Sequence, residues 1–227
     1  VEHLVVDGRS TDGTREILER YPEVTVIDQA AGNQSDALNI GFERASGRYV
    51  GWLNADDRYL PGAFSRALGL LESGSADAVY SNVVFVDGDL REIRRVRHHP
   101  PSAALAALYC FVPSTTFFVR RDILRRYRVD PAFELAIDLE LFAAMLADGV
   151  RFVWTDDFFA QFRWHGENKS LAPDRRRRLA DEHLEVLRRR TGFVPPRTLP
   201  PELVFSLLQW PARCWRVGLK LRSRSRR

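Results

Sequence analysis

The stretch Val1-Glu2-His3-Leu4-Val5-Val6-Asp7-Gly8-Arg9-Ser10-Thr11-Asp12-Gly13-Thr14 decides the fold. A β-rich run ends in turn-forming residues, and Thr11 or Asp12 is placed to cap a helix from Thr14 to Tyr21. Val24-Thr25-Val26-Ile27 supplies the next strand, so the chain reads β-α-β from its first residue. Working outward, Ser35 to Ala45 reads as a helix closed by Gly47. Tyr49 to Leu53 reads as a strand running into Asn54-Ala55-Asp56-Asp57, and Pro61 opens a helix to Glu72. From Ala78 strands dominate, at Ala78 to Phe85 and Arg91 to Arg97 around the turn Asp87-Gly88-Asp89. A helix over Ser102 to Leu108, a strand over Ser114 to Val119 and helices over Arg121 to Arg126 and Leu139 to Ala147 follow. The final strands are expected at Arg151 to Trp154 and Phe158 to Trp164.

This order predicts an α/β fold, a Rossmann-like, mixed and mainly parallel sheet flanked by helices, with a C-terminal helical extension. The expected domains are residues 1–172 and an arginine-rich helical extension over 173–227. The extension holds a helix to Arg190, a proline-rich linker through Pro195, Pro196, Pro200 and Pro201, and a last helix carrying Leu203, Phe205, Leu207, Leu208 and Trp210.

Composition is that of a globular protein: 227 residues, 45% hydrophobic and 11% aromatic, enough for one sizeable core. No apolar run reaches the roughly 18 residues that span a bilayer, and no leader pattern opens the chain. Cys110 and Cys214 lie far apart, outside any metal or disulfide spacing. A soluble, cytosolic domain in a reducing compartment is the expectation. The net charge of +4 comes almost wholly from arginine, with Lys169 and Lys220 the only lysines, which suggests a GC-rich bacterial genome. Its arginine clusters lack the interleaved aromatics of a nucleic-acid motif, so no nucleic-acid partner is expected.

In open α/β sheets ligands bind beyond the carboxyl ends of the strands. Two acidic clusters fall there. The Asp7 to Asp12 segment is equally well an Asx turn with a helix cap. Adjacent Asp56 and Asp57 repel one another unless a cation intervenes, and hard divalent ions are the usual answer, with helix capping as the alternative.

The motifs in this order resemble the family 2 glycosyltransferases of the GT-A nucleotide-sugar fold. Val5 to Thr14 looks like the family's VVDxxSxDGT turn, Gln34-Ser35-Asp36-Ala37-Leu38-Asn39-Ile40-Gly41 like QSDAxNxG, and Leu53 to Asp57 like the LNxDD form of its DxD motif. Pro113 to Phe118, Ala136-Ile137-Asp138, and Phe162-Arg163-Trp164-His165 ahead of Asn168-Lys169-Ser170 also fit, over Val1 to about Ser170.

The resemblance implies an inverting, metal-dependent hexosyl transfer from a UDP-, GDP- or dTDP-sugar to a hydroxyl of a glycan or lipid-linked acceptor, in bacterial envelope or exopolysaccharide synthesis. Asp138 would be the general base. Asp7, Asp36, Asn39, Asn54, Asp56 and Arg163 would bind the nucleotide sugar, and Asp57, Asp56 and His165 would hold Mn²⁺ or Mg²⁺. The rival readings are an N-cap for Asp138 and a packed or surface histidine for His165. Trp52 and Trp164 read as core or pocket wall, and His98-His99 as a solvated loop. Glu140 stands where the family often has a second aspartate.

The family's opening βα unit has no counterpart ahead of Val1. By the usual size of such units that is roughly 30 residues, so an open sheet edge is expected, and a non-catalytic nucleotide-sugar binder is the alternative function. Leu203, Leu207, Trp210, Trp215 and Leu219, flanked by Arg213, Arg216, Arg222 and Arg224, form a basic amphipathic pattern. That pattern suits peripheral contact with the inner membrane face or, equally, packing on the catalytic domain.

Overall fold

The computed structural model describes residues 1–30, 32–165, 175–194, 199–208 and 210. Asn168-Lys169-Ser170, Cys214 and the expected continuation of the amphipathic pattern past Trp210 lie outside these residues.

The chain begins β1 (His3–Asp7), α1 (Thr14–Leu18) and β2 (Val24–Asp28), with β1 and β2 parallel in a sheet of their own. The cap of α1 is neither Thr11 nor Asp12 but Gly13, whose φ of 85° suits glycine. Asp12 instead receives the Thr14 amide and hydroxyl. α2 (Gln34–Arg44) leads to β3 (Tyr49–Gly51), then a two-residue β4 (Arg58–Tyr59) that sequence reading missed, and α3 (Ala63–Glu72).

The second sheet is built on β5 (Ala78–Val86), buried along most of its length. It pairs antiparallel with β6 (Glu92–Val96) and β7 (Phe118–Arg120), and parallel with β8 (Phe152–Arg163). β3 joins β7 and β4 joins β8, both antiparallel. The structure is therefore mixed as expected: its two longest pairings, β1 with β2 and β5 with β8, are parallel, and the shorter ones antiparallel. The reason lies in the connections: the tight Asp87 to Leu90 turn can join β5 to β6 only as an antiparallel hairpin, whereas the long path from β5 to β8 permits a parallel crossover. The strands expected at Arg151 to Trp154 and Phe158 to Trp164 are one strand, β8. Its register against β5 shifts opposite Ser81 to Val83, which absorbs Asp156 and Asp157. Ser114 to Thr116 is a 3₁₀ turn rather than the start of β7.

On that crossover lie α4 (Ala103–Ala106), α5 (Arg121–Leu124) and α6 (Ile137–Ala147). α6 is buried almost all round, with Leu139, Leu141, Phe142 and Met145 in the main core, as a helix apolar on every face must be. Each such side chain contributes about 1.5–3 kcal/mol by burial, so the start of α6 is firmly held.

α7 (Arg176–Thr191) packs on α6 and places Val186 in the same core, and α8 (Pro201–Leu208) packs on α7. Most arginines of α7 are engaged: Arg177 with Asp181, Arg178 with Glu134 and Glu182, Arg188 with Glu185, Arg189 with Asp130 and Glu185, and Arg190 with Glu140. Among the described residues no helix is long and apolar enough to cross a membrane.

Candidate functional site

A groove of about 1320 Å³ separates β1 from β3 and runs on past the end of β3 to the start of α6. Its floor includes Leu38, Phe42 and Tyr59. Gly51 is required in the wall, because a Cβ there would meet the Tyr59 hydroxyl at 2.8 Å and the Phe118 ring at 2.9 Å.

At the far end the groove gathers Gln34, Asn54, Asp56, Asp138 and His165. Asn54 organises the turn after β3. Its Oδ1 accepts from Trp52 Nε1 at 3.2 Å and Gln34 Nε2 at 3.3 Å, while its Nδ2 donates to Asp57 Oδ2 at 3.1 Å. Trp52 is buried and lines the groove, joining core and pocket wall.

Asp57 points away from the groove. It is buried, and its Oδ1 accepts the Arg163 backbone N–H at 2.9 Å, which ties the β3–β4 turn to the end of β8. Loss of hydration, with the neighbouring Asp56 charge assisting, pushes its carboxyl up to about 6 against stabilising hydrogen bonds. Asp56 faces the groove, and its Oδ2 lies 3.2 Å from His165 Nε2. Among the described residues no cluster of three histidine, cysteine, aspartate or glutamate side chains is arranged around a common point. Yet two cis ligands of an octahedral ion with arms near 2.1 Å stand about 3 Å apart. The Asp56 and His165 atoms therefore have the separation and chemistry of one edge of such a site.

Asp138 lies inside the first turn of α6, and its Oδ1 accepts the Leu139 amide at 2.8 Å. The residue at the cap position is Ala136, so Asp138 is not the N-cap. Burial raises its carboxyl above the usual range, opposed by hydrogen bonds from Leu139 and the Cys110 thiol. A carboxyl so placed is more basic than an exposed one.

The remaining sequence candidates lie off the groove lining. The carboxylate of Asp7 is taken up by the Ser10 hydroxyl and by Arg15, at 2.5 Å and 2.7 Å, and these contacts hold its carboxyl below the usual range. Asp36 forms a capping box with Asn33, receiving that residue's amide at 2.9 Å. Asn39 clamps the Val129 backbone with both ends of its amide, at 2.8 Å each. Arg163 meets Asp57 through its main chain. Gln34 and Ser114, which line the groove, were not singled out from the sequence.

His99 is a correction. It is not solvated but buried against Phe111, with its ring on Tyr109 and its carbonyl accepting from the Tyr80 hydroxyl at 2.6 Å. Tyr109 and Phe111, ten and twelve residues further along the chain, cover the ring, and no local pattern announces that. Trp164 packs on Phe85 and Phe162 while remaining partly exposed.

Residues 1–131 match the family described as Glycosyl transferase family 2. The chain belongs to that family. Curated relatives agree. It is 25% identical over 170 residues to the putative teichuronic acid biosynthesis glycosyltransferase TuaG of Bacillus subtilis, covering 71% of this chain and 67% of that one. It is 28% identical over 146 residues to an uncharacterized glycosyltransferase of Nostoc, covering 58% of this chain and 45% of that one. The chain thus spans about half to two thirds of these relatives. Solved structures confirm the GT-A fold. Staphylococcus aureus TarS 1-349 in complex with UDP-GlcNAc superposes with a TM-score of 0.62 at 16% identity, over 82% of this chain and 61% of that one. The mannosyltransferase PcManGT of Pyrobaculum calidifontis, in complex with GDP-Man and Mn²⁺, gives 0.61 at 18% identity, over 95% and 62%. The family match ends before Asp138.

Proposed function

We propose that this chain is an inverting glycosyltransferase that moves a hexosyl group from a nucleoside diphosphate sugar to an acceptor hydroxyl in bacterial envelope or exopolysaccharide glycan synthesis. The observation that carries the reading is the convergence of Asn54 and Asp56, Asp138 and His165 on one groove from three separate parts of the chain.

The acceptor oxygen attacks the anomeric carbon as the bond to the diphosphate breaks. Asp138, made basic by burial, takes the acceptor proton, and attack from the face opposite the leaving group inverts the anomeric configuration. Asp56 and His165 are the residues that would hold Mn²⁺ or Mg²⁺, with Asp57 bracing the turn behind them. When bound, such an ion neutralises charge on the departing diphosphate. Gln34 and Asn54, hydrogen-bonded to one another, stand on the same wall and shape it for the nucleotide sugar. Asp7, Asp36 and Asn39 brace the fold through a turn, a helix cap and a backbone clamp. That PcManGT was solved with GDP-Man and Mn²⁺, and TarS with UDP-GlcNAc, supports this donor class.

The domain division we favour is a transferase domain over 1–172 and an extension over 173–227, working on the cytoplasmic face. Leu203, Leu207 and Trp210 are exposed at helical spacing on and just beyond α8, while Val204 is buried and Phe205 packs on His183. One face of α8 thus joins the fold and the other is available to a membrane surface carrying the acceptor.

The reading is tested by thermal-shift titration with UDP-, GDP- and dTDP-sugars, with and without Mn²⁺, followed by release of free nucleoside diphosphate. Stabilisation by one donor only with the metal present, and its turnover, support the reading. Absence of any donor-dependent shift removes it.

A further inference from the structure

Three consecutive backbone amides, those of Glu134, Leu135 and Ala136, point at one carboxylate. Glu182 Oε2 accepts them at 3.1 Å, 2.8 Å and 2.9 Å. Glu182 lies on α7 and is buried, with its other oxygen held by Arg178 Nε at 3.0 Å. Arg178 also grips the Glu134 carboxylate at 2.8 Å. Glu134 and Leu135 line the groove, and Ala136 caps α6 two residues ahead of Asp138.

Amides arrayed around one point form a concavity that binds anions, and a helix start adds a positive field of its own. Here the protein fills that concavity with a carboxylate from a distant helix. An exposed Glu182 would lose little by letting go. A buried one that released its partners would leave a charge and three donors unsatisfied, so the segment from Glu134 to Ala136 is locked in place.

We infer that Glu182, with Arg178, is a positioning residue of the transfer reaction: α7 fixes the groove wall from Glu134 to Ala136 and thereby the direction in which Asp138 meets the acceptor. The inference rests on the proposed role of Asp138. It makes the arginine-rich helix part of the catalytic apparatus, although α7 lies wholly beyond the family match. Small displacements of a base from its line of attack are costly, so the effect falls on turnover and not on donor capture.

The test uses the full chain and its Glu182→Gln, Glu182→Ala and Arg178→Ala variants, assayed well below each melting temperature. Hydrolysis of the donor selected by thermal shift, with water as acceptor, gives kcat and KM. Hydrogen exchange of the 132–142 segment reports the wall directly. Glu182→Ala is expected to lower kcat on the order of tenfold or more with donor KM within about twofold, and to speed exchange at Glu134 to Ala136. Glu182→Gln, which keeps an acceptor, should fall between it and the parent.

Unchanged exchange, or unchanged kcat in a variant whose exchange has risen, overturns the inference. So does a loss in KM alone. Failure of the Asp138 reading looks different: Asp138→Asn would then retain turnover whatever the Glu182 variants do. Because exchange is read without any substrate, the positioning claim meets a test even if hydrolysis is slow.

Discussion

His165 Nε2 lies 3.2 Å from Asp56 Oδ2, although 109 residues separate them along the chain. The end of β8 and the turn after β3 are brought together by the Asp57 to Arg163 main-chain bond, so the pair is held by the fold behind it and not by its own modest attraction.

That arrangement has a direct consequence for metal binding. Asp56→Ala and His165→Ala should each weaken Mn²⁺ binding, and with it metal-dependent stabilisation by donor, on the order of tenfold or more. Isothermal titration of Mn²⁺ in the presence of UDP or GDP measures it. Parent-like affinity in both variants would remove these residues from the metal site.

Asp57 should make the metal-free protein acid-stabilised. Its carboxyl keeps its proton to about pH 6 when folded but ionises near 3.8 when unfolded, so over that window the native state binds more protons. Stability therefore falls as pH rises from about 4 to 6, by roughly 3 kcal/mol for the full shift. Asp57→Asn, which retains an acceptor for the Arg163 amide, should remove that loss. Melting curves in EDTA at pH 5 and pH 8 decide it, and a parent and variant with the same pH dependence would show that Asp57 is charged at no such cost.

The groove between β1 and β3 leaves each of these strands with one partner among the described residues. Extending the chain upstream of Val1 with a βα segment should therefore raise melting temperature and donor affinity together, by pairing backbone groups at the open edge. Equal melting and equal affinity in the long and short forms would show that the groove takes no strand.

The outer face of α8 is expected to bind anionic vesicles. Replacing Leu203, Leu207 and Trp210 together by serine should abolish co-sedimentation with anionic lipid while leaving melting temperature nearly unchanged, because their side chains are exposed. Pelleting that survives the substitution, or that is equal on neutral vesicles, would leave α8 as a packing helix alone.

How much of this was legible in the sequence depends on range. The βαβ opening, the acidic turn after β3 and the apolar helix behind Asp138 were readable because each is written in neighbouring residues. Asp7, Asp36 and Asn39 were visible as motif residues, but their hydrogen bonds show side chains spent on turns, a cap and a backbone clamp, which a motif does not distinguish from ligand contacts. Glu182 was out of reach. Four residues from Arg178 on an arginine-rich helix, it reads as half of a solvated ion pair, and its burial against the start of α6 is a long-range fact.

The most direct test of the account is Asp138→Asn, measured for donor binding and for release of nucleoside diphosphate side by side. An amide of nearly the same volume cannot accept the acceptor proton, so donor affinity should stay within about twofold while turnover falls by about 10²-fold or more. A variant that binds donor normally and turns over near the parent rate would contradict the assignment of Asp138 as the base, and with it the mechanism built on this groove.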